Sequence, residues 1–272
     1  MTLQDSAQRQ TLVTGASSGL GAAFAERLAH DHYHLILVAR RRDRLEELAQ
    51  RLHAAQAVTV DVLAADLTQA AGLKTVEERI AAAPALALLV NNAGFGGYRP
   101  FITLDPDRAE EIIQLLVIAV TRLTRAALPG MIARGQGAVI NVSSALAFSA
   151  TLPSPPLPKR ATYGGSKAFV NAFTQLLANE LEGTGVRLQA LCPGLVKTEF
   201  HEQMGVDPAS FPAGSVMSPE DVVQASLASL ALGEVVCVPS LSDPALLARV
   251  DESQRQVFSQ ARSNRLADRY QS

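Results

Sequence analysis

The sequence predicts a doubly wound parallel α/β sheet of seven strands with helices on both faces. Three observations lead to this fold class. Short apolar runs of strand length alternate with longer segments of helical periodicity along the whole chain. A glycine-rich stretch follows the first apolar run and precedes a helical pattern. Finally, 48% of the 272 residues are hydrophobic, which suits a sheet that is covered on both faces.

Each apolar run ends in turn-forming or polar residues, and a helical pattern separates each run from the next. We place the strands at residues 10–14, 34–39, 57–62, 87–91, 137–142, 186–191 and 235–238. We place the helices at residues 19–30, 43–54, 70–82, 106–133, 161–182 and 219–232. No repeat or low-complexity linker divides the chain, so we expect a single domain over residues 1–272.

A charged helical stretch extends from about residue 243 to residue 269. Its partly apolar face packs either on its own domain or on another subunit, and the sequence leaves both options open.

Composition and charge exclude several classes of function. A net charge of −2 provides no basic footprint for nucleic acid. Cys192 and Cys237 lie at or in predicted strands, which indicates core residues and no disulfide framework. The N-terminus lacks a secretory pattern, and the apolar run 81–90 is too short to span a bilayer. We therefore expect no nucleic-acid or membrane partner and a cytoplasmic location.

The alternating histidines His30, His32 and His34 invite interpretation as a metal site. No cysteine or carboxylate stands near them at metal-ligand spacing. His30 ends a predicted helix, where a cation interacts favourably with the helix dipole, and His34 opens a strand. We therefore predict no metal site.

The stretch Tyr163–Lys167 is the most informative part of the chain. A phenol and an amine four residues apart share one helix face, a single turn apart. A free phenol has a pKa near 10, and a nearby ammonium favours the phenolate and lowers that pKa. The pair would supply a proton donor for a carbonyl or an acceptor for an alcohol. The alternative is a helix N-terminus with a solvated lysine.

The glycine-rich stretch Thr14–Gly21 lies between a predicted strand and a predicted helix. Free backbone N–H groups and the helix dipole bind a phosphate at such a turn. The spacing differs from the GxGxxG fingerprint, but the glycines serve the same purposes, a tight turn and a close backbone approach. The alternative is a plain strand-to-helix turn.

Polar side chains follow two further strands, at the sheet edge where open α/β sheets bind ligands. Asn91 and Asn92 follow one buried strand, where they line a ligand site, tie the strand ends together, or do both. Ser143 and Ser144 follow the next strand, where a hydroxyl either polarises a carbonyl oxygen or caps a turn.

Taken in this order, the segments resemble the short-chain dehydrogenase/reductase family over about residues 10–238. The Pro-Gly segment 193–198 and an aspartate after the third strand belong to the same pattern. The resemblance implies a Rossmann-type fold that binds NAD(P) across the carboxyl ends of the strands. The catalytic residues that it implies are Ser144, Tyr163 and Lys167. The cofactor contacts that it implies are Gly15, Ser17, Ser18, Gly19, Leu20, Gly21, Arg40, Asp66, Leu67, Asn92, Ala93, Gly94, Tyr163, Lys167, Pro193, Gly194, Val196 and Thr198.

The resemblance also implies hydride transfer between nicotinamide and a carbonyl or secondary alcohol, with Tyr163 as general acid or base. Lys167 would lower the pKa of Tyr163 and hold the nicotinamide ribose. NAD-specific sites place a carboxylate at the end of the second strand, where this chain has Ala39 followed by Arg40. We therefore expect NADP(H) to be favoured over NAD(H). The alternative for Arg40 is a solvated arginine cluster at the start of a helix.

One residue departs from the family pattern. Many members carry an asparagine in the long helix, where it holds a water in a proton relay to the lysine, and Leu116 stands at that position. The leading hypothesis is an NADPH-dependent carbonyl reductase acting on a small molecule. One alternative, which Leu116 favours, is a nucleotide-binding sensor or scaffold with little turnover. Another is a different reaction on the same scaffold, such as epimerisation or dehydration.

Two segments, residues 151–160 and 199–218, should border the active site. Their apolar residues favour a substrate with a hydrophobic body, or they reflect ordinary loop packing: Leu152, Leu157, Phe200, Met204, Phe211 and Met217. Members of the family commonly associate through the helices that match 106–133 and 161–182. We therefore expect a homodimer or homotetramer, whereas the alternative is that the apolar residues of these helices all belong to the intrachain core.

Overall fold

A computed structural model describes residues 9–155, 157–202 and 211–271 of the chain. The strands are β1 Gln10–Thr14, β2 His34–Ala39, β3 Val60–Ala64, β4 Leu86–Asn91, β5 Gly137–Val142, β6 Val186–Leu191, β7 Leu195–Val196, β8 Val216–Met217 and β9 Val236–Cys237. The α-helices are α1 Gly19–His30, α2 Arg42–Gln56, α3 Ala70–Ala81, α4 Pro106–Ile113, α5 Val120–Arg134, α6 Ala161–Glu180, α7 Glu199–Glu202, α8 Pro219–Leu232 and α9 Ala245–Gln260.

Seven strands form one parallel sheet in the order β3-β2-β1-β4-β5-β6-β9. The predicted doubly wound sheet is therefore confirmed. The direction of winding reverses between β1 and β4, and such a switch point opens a crevice at the carboxyl ends of the strands. The strands β7 and β8 form a separate parallel pair. Two-residue strands are too short to leave a periodic pattern, so the sequence did not predict this pair.

The central strands are mostly apolar because both faces of the sheet are covered. Side chains alternate along a strand, so neighbouring residues belong to different faces. Leu12 and Ile36 lie in one buried cluster, and Val13 and Leu37 lie in the other. The first cluster includes residues of α3 and α5, and the second includes residues of α1, α2 and α8.

The helix predicted at 106–133 is one helical run, Pro106–Arg134, with a π-helical segment at Gln114–Ala119 between α4 and α5. Asp105 caps its N-terminus by accepting hydrogen bonds from the backbone N–H groups of Asp107 and Arg108. Of the helices described, this one is long and apolar enough to cross a membrane, and half of its apolar window is buried inside the protein.

The third strand begins at Val60, three positions later than predicted. The preceding helix continues to Gln56, and Ala57 ends it in a left-handed conformation with a φ of 53°. Ala57, the first residue of the predicted strand, therefore ends the preceding helix instead.

The chain divides into two compact units, Met1–Pro239 and Ser240–Ser272. The second unit contains α9, whose Leu246, Val250, Val257 and Phe258 are exposed. The helix ends at Gln260, earlier than predicted, because Arg262 and Ser263 form turn-type hydrogen bonds to residues three positions back. The expectation of one domain over residues 1–272 stays a prediction.

Candidate active site

The separate motifs of the sequence meet in a crevice at the carboxyl ends of the central strands. Two cavities, of about 160 and 340 Å³, share Gly15, Ser18 and Gly94 in their linings. Every predicted site residue except Gly21 lines at least one of them. Ser144, Tyr163 and Lys167 line the smaller cavity, whereas Arg40 and Asp66 line the larger one.

The glycine loop has the conformation that its glycines predict. Gly15 adopts a positive φ of 67°, which a residue with a Cβ rarely adopts. Gly21 packs in the first turn of α1, and a Cβ on it would collide with the carbonyl oxygen of Gly15. Gly21 is therefore required for close packing of the turn. Gly21 was predicted to contact the cofactor, but it lines neither cavity.

Tyr163 lies in the first turn of α6 and is 5% exposed. Tyr98 meets its ring edge-on with centroids 5.3 Å apart, and Phe200 lies at 6.2 Å. Burial raises the pKa of Tyr163 above its ordinary value, the nearby Tyr98 raises it further, and the Ser144 side chain opposes both effects. Desolvation outweighs every other effect on this pKa, so its net direction is opposite to the lowering expected from Lys167, whose own effect stays a prediction.

Lys167 is 5% exposed and lies one turn after Tyr163 on α6. Its Nζ donates a hydrogen bond to the carbonyl oxygen of Val142 at 2.7 Å, and it lies 5.7 Å from the centroid of the Tyr163 ring. Burial lowers the pKa of the Lys167 ammonium to about 8. The amine is buried at the end of β5, so the alternative of a solvated lysine does not hold.

Ser144 caps a turn, which is one of the two functions that its position after β5 predicted, and its polarisation of a carbonyl oxygen stays a prediction. Its Oγ accepts a hydrogen bond from the Leu146 backbone at 3.1 Å and so caps the short 3₁₀-helix Ala145–Phe148. The same side chain lines the smaller cavity together with Tyr163 and opposes the rise in the Tyr163 pKa. Ser143 instead stabilises the helix, because its hydroxyl donates to the carbonyl oxygen of Lys167 at 2.9 Å.

The paired amides after β4 differ in their contacts. Asn91 is buried, and its Nδ2 donates to Asn141 Oδ1 at 2.9 Å, which ties β4 to β5. Asn92 lines the smaller cavity, and its Nδ2 donates to the carbonyl oxygen of Thr14 at 2.9 Å. Asn91 is therefore structural, whereas Asn92 is positioned both to hold the end of β1 and to contact a ligand.

The larger cavity has a cationic end formed by consecutive arginines. Arg40 and Arg41 both line it. The Nη2 atom of Arg41 donates to Ser17 Oγ at 3.0 Å and to Ser18 Oγ at 2.8 Å. Glycine-loop hydroxyls and two guanidinium groups form a donor set that fits an anionic nucleotide. The residues present therefore fit the cofactor that the sequence implies.

Asp66 follows β3 at another part of the same cavity. Its Oδ1 accepts hydrogen bonds from the backbone N–H and the hydroxyl of Thr68, at 2.9 and 2.8 Å. The carboxylate is thereby held in a tight turn at the strand end, where Leu67 and Ala93 also line the cavity.

The sequence did not single out several residues that line the cavities: Phe95, Tyr98, Leu115, Val142 and Arg41. Tyr98 follows the Asn-Asn-Ala-Gly motif by four positions, a spacing with no periodic signal. Arg41 is one of three consecutive arginines, and only the turn before α2 decides which of them reaches the glycine loop. Val142 contributes a backbone carbonyl, which every residue possesses.

The two segments expected to border the site differ from one another. No described residue of segment 151–160 lines either cavity. Arg160 donates hydrogen bonds to the carbonyl oxygens of Ser149 and Leu152, so the two ends of this segment are bonded to one another. Phe200 of the second segment lines the smaller cavity, whereas Met217 packs against the core. The predicted Met204 lies outside the described residues. Among the described residues, no group of three or more metal-ligating side chains is present.

Comparison with known proteins agrees with this geometry. Residues 9–208 match the family described as short chain dehydrogenase. An uncharacterized oxidoreductase from Myxococcus xanthus (strain DK1622) is 35% identical over 245 residues, which cover 89% of this chain and 92% of that protein.

Two solved structures cover nearly the whole chain. A short-chain dehydrogenase from Sphingobium yanoikuyae in complex with NADPH superposes with a TM-score of 0.89, at 35% identity, over 96% of this chain and 100% of that one. A bulky-bulky ketone specific alcohol dehydrogenase from Comamonas testosteroni has a TM-score of 0.85, at 32% identity, over 96% of this chain and 98% of that one. The chain is thus an NAD(P)-dependent oxidoreductase of the short-chain dehydrogenase/reductase family.

Proposed function

We propose that the protein interconverts a ketone or aldehyde and the corresponding alcohol, with NADP(H) favoured over NAD(H) and with a substrate that has an apolar body. The observation that carries this proposal is the convergence of Ser144, Tyr163 and the buried Lys167 ammonium on one cavity at the switch point of the sheet. Bound nicotinamide would supply or accept the hydride.

The chain's own residues would handle the substrate oxygen and its proton. The hydroxyls of Ser144 and Tyr163 would donate hydrogen bonds to the carbonyl oxygen, which develops negative charge during reduction. The raised pKa of Tyr163 keeps the phenol protonated at neutral pH, as reduction requires of a proton donor. The Lys167 ammonium at the end of β5 would stabilise the phenolate that remains after proton transfer.

The walls of the smaller cavity support an apolar substrate body. Tyr98 and Phe200 both line this cavity, with ring centroids 5.3 and 6.2 Å from that of Tyr163. Aromatic side chains bury large apolar areas, so they favour substrates with carbon-rich groups next to the carbonyl. The similarity to an alcohol dehydrogenase specific for bulky ketones agrees with this class of substrate.

The test is a panel of ketones and aldehydes of increasing size, with NADPH oxidation followed by absorbance. We expect turnover of carbonyl compounds with bulky apolar substituents and a kcat/KM at least tenfold higher with NADPH than with NADH. The matched control is Tyr163→Phe, which keeps the ring and removes the proton. Equal rates for the wild type and the control, or turnover confined to small polar aldehydes, would contradict the proposal.

A second candidate function is cofactor binding with little turnover. The observation that favours it is Leu116, which is 1% exposed in the π-helical segment and has no group to hold a relay water. This alternative predicts ordinary NADPH affinity with negligible oxidation of every compound in the panel. Calorimetric titration of NADPH together with the same panel separates the two functions.

A further inference from the structure

Glu199 links two halves of the site that are far apart in sequence. It is the first residue of α7 and directly follows Thr198, which lines the smaller cavity. Its two carboxylate oxygens each accept a hydrogen bond from Nη1 of Arg44 at 2.9 Å, and Arg44 belongs to α2. The substrate side of the crevice is thus joined to the helix that follows the cationic end of the larger cavity.

The same carboxylate also attracts a guanidinium that lines the larger cavity. Arg41 Nη1 lies 3.5 Å from Glu199 Oε2, while Nη2 of Arg41 contacts the hydroxyls of Ser17 and Ser18. Arg44 lines neither cavity. Glu199 therefore holds one arginine that anchors it and another that faces the nucleotide site. Arg44 and Arg41 both lower the pKa of Glu199, so the carboxylate is charged at neutral pH.

We propose that Glu199 is a positioning residue that fastens the start of α7 to α2 through Arg44 and withholds part of the Arg41 charge from the 2′-phosphate of the cofactor. This inference rests on the proposed preference for NADP(H). Each ion pair is partly exposed, with side chains 40 to 45% accessible, so each contributes modestly. Because both arginines pair with this one carboxylate, Glu199 orders the substrate side and at the same time weakens affinity for the phosphate.

The two partners of the anchoring pair give opposite expectations for cofactor binding. Glu199→Gln releases Arg41, so NADPH should bind about two- to fivefold more tightly. Among the ion pairs described, Arg44→Gln leaves Glu199 with Arg41 alone, so NADPH should bind about two- to fivefold more weakly. NADH lacks the 2′-phosphate, and its Kd should change less than twofold in either variant.

The same two variants give one shared expectation on the substrate side. Both remove the anchor of α7, so both should raise the KM of the best carbonyl substrate by about two- to fivefold. Backbone amides of residues 199–202 should exchange with deuterium faster in both. The double variant should raise KM no further than either single change, because the two residues form one contact.

Glu46→Gln is the matched control. It removes the same charge on α2, where Glu46 pairs only with Arg42 at 3.4 Å among the ion pairs described. It should leave the Kd of both cofactors and the amide exchange of residues 199–202 unchanged.

The experiment is titration of the full-length protein with NADPH and with NADH, followed by steady-state kinetics and hydrogen exchange. Opposite shifts in NADPH Kd, with matching increases in exchange, support the inference. Shifts of the same sign in Glu199→Gln and Arg44→Gln, or an effect of Glu46→Gln equal to that of Glu199→Gln, overturn it. Failure of the wild type to oxidise NADPH with any carbonyl would count against the proposed function alone, since the Kd and exchange measurements do not depend on turnover.

Discussion

Lys167 Nζ donates a 2.7 Å hydrogen bond to the carbonyl oxygen of Val142, the last residue of β5. The ammonium is thus fixed at the strand end next to Ser143 and Ser144. Among the described residues, no carboxylate lies within ion-pair distance of it. A buried charge held only by a neutral dipole costs stability, which leads to the first prediction.

Lys167→Met should stabilise the fold while it removes activity. Burial lowers the pKa of Lys167 from 10.5 to about 8, and this difference corresponds to at most about 3 kcal/mol at neutral pH. In the variant the Val142 carbonyl loses its hydrogen bond, which offsets part of the stabilisation. We therefore expect denaturant unfolding at pH 7 to show a free energy of unfolding about 1–2 kcal/mol higher than that of the wild type. Methionine has a similar length without the charge.

The pH dependence of unfolding tests independently whether the Lys167 charge destabilises the fold. Below pH 8 the lysine is protonated in both the folded and the unfolded protein, so the wild type bears the full free-energy cost of burying this charge. Between pH 8 and 10 the unfolded chain binds more protons, so wild-type stability should rise with pH relative to the variant. A stability difference that stays constant over this range would contradict the lowered pKa of Lys167.

Tyr163→Phe should abolish turnover and leave NADPH binding nearly intact. The substitution removes only the hydroxyl that donates the proton, and general acid catalysis is typically worth about 10²- to 10⁴-fold. Single-turnover absorbance measures the rate, and calorimetric titration measures the NADPH Kd. Tyr98→Phe is the control, because Tyr98 lines the same cavity and touches the Tyr163 ring. A comparable loss in both variants would mean that Tyr163 is not the specific acid.

Arg40→Ala and Arg41→Ala should each weaken NADPH binding and spare NADH binding. A charge-assisted hydrogen bond contributes about 1.5–3 kcal/mol, so each substitution should raise the NADPH Kd by about 10- to 100-fold. Arg42→Ala is the control, since Arg42 does not line the cavity and pairs with Glu46 at 3.4 Å. Equal losses for both cofactors would count against recognition of the 2′-phosphate.

The sequence predicted the sheet and nearly all of the crevice because those features depend on local residue types. An apolar strand, a glycine loop or a polar strand end can each be recognised from one short stretch of sequence. What it missed depends on three-dimensional packing. The raised pKa of Tyr163 follows first from burial and then from the electrostatic effect of Tyr98, a residue of another segment. The contact between Glu199 and Arg44 joins residues 155 positions apart, and neither residue belongs to a motif.

The protein should form at least a dimer at micromolar concentration. Phe101 and Ile102 are 71% and 92% exposed, and Phe169 and Leu176 on α6 are 39% and 64% exposed. Such large exposed apolar residues on neighbouring elements are typical of interfaces. Light scattering should give at least twice the 28.8 kDa chain mass, and Phe169→Asp should lower it. Leu232→Asp, at the exposed end of α8, is the control. A monomeric wild type would contradict the expected assembly.

Leu116→Asn should increase turnover without changing cofactor affinity. Leu116 is 1% exposed in the π-helical segment, and a Cβ built on Gly94 would lie 3.1 Å from its Cδ2, so the side chain reaches the wall that both cavities share. In the proton relay that the family resemblance implies, an amide at this position would hold a water and restore part of the about 10²- to 10⁴-fold that assisted proton transfer provides. The solvent isotope effect on kcat should shrink, while the NADPH Kd stays the same.

The variant should also be less stable by about 1–3 kcal/mol, because burial leaves part of the amide without a partner. Leu116→Ala separates these effects, since it removes the same packing and supplies no hydrogen bond. A folded Leu116→Asn protein that turns over no faster than Leu116→Ala would show that the proton reaches Tyr163 by a route that does not pass this helix.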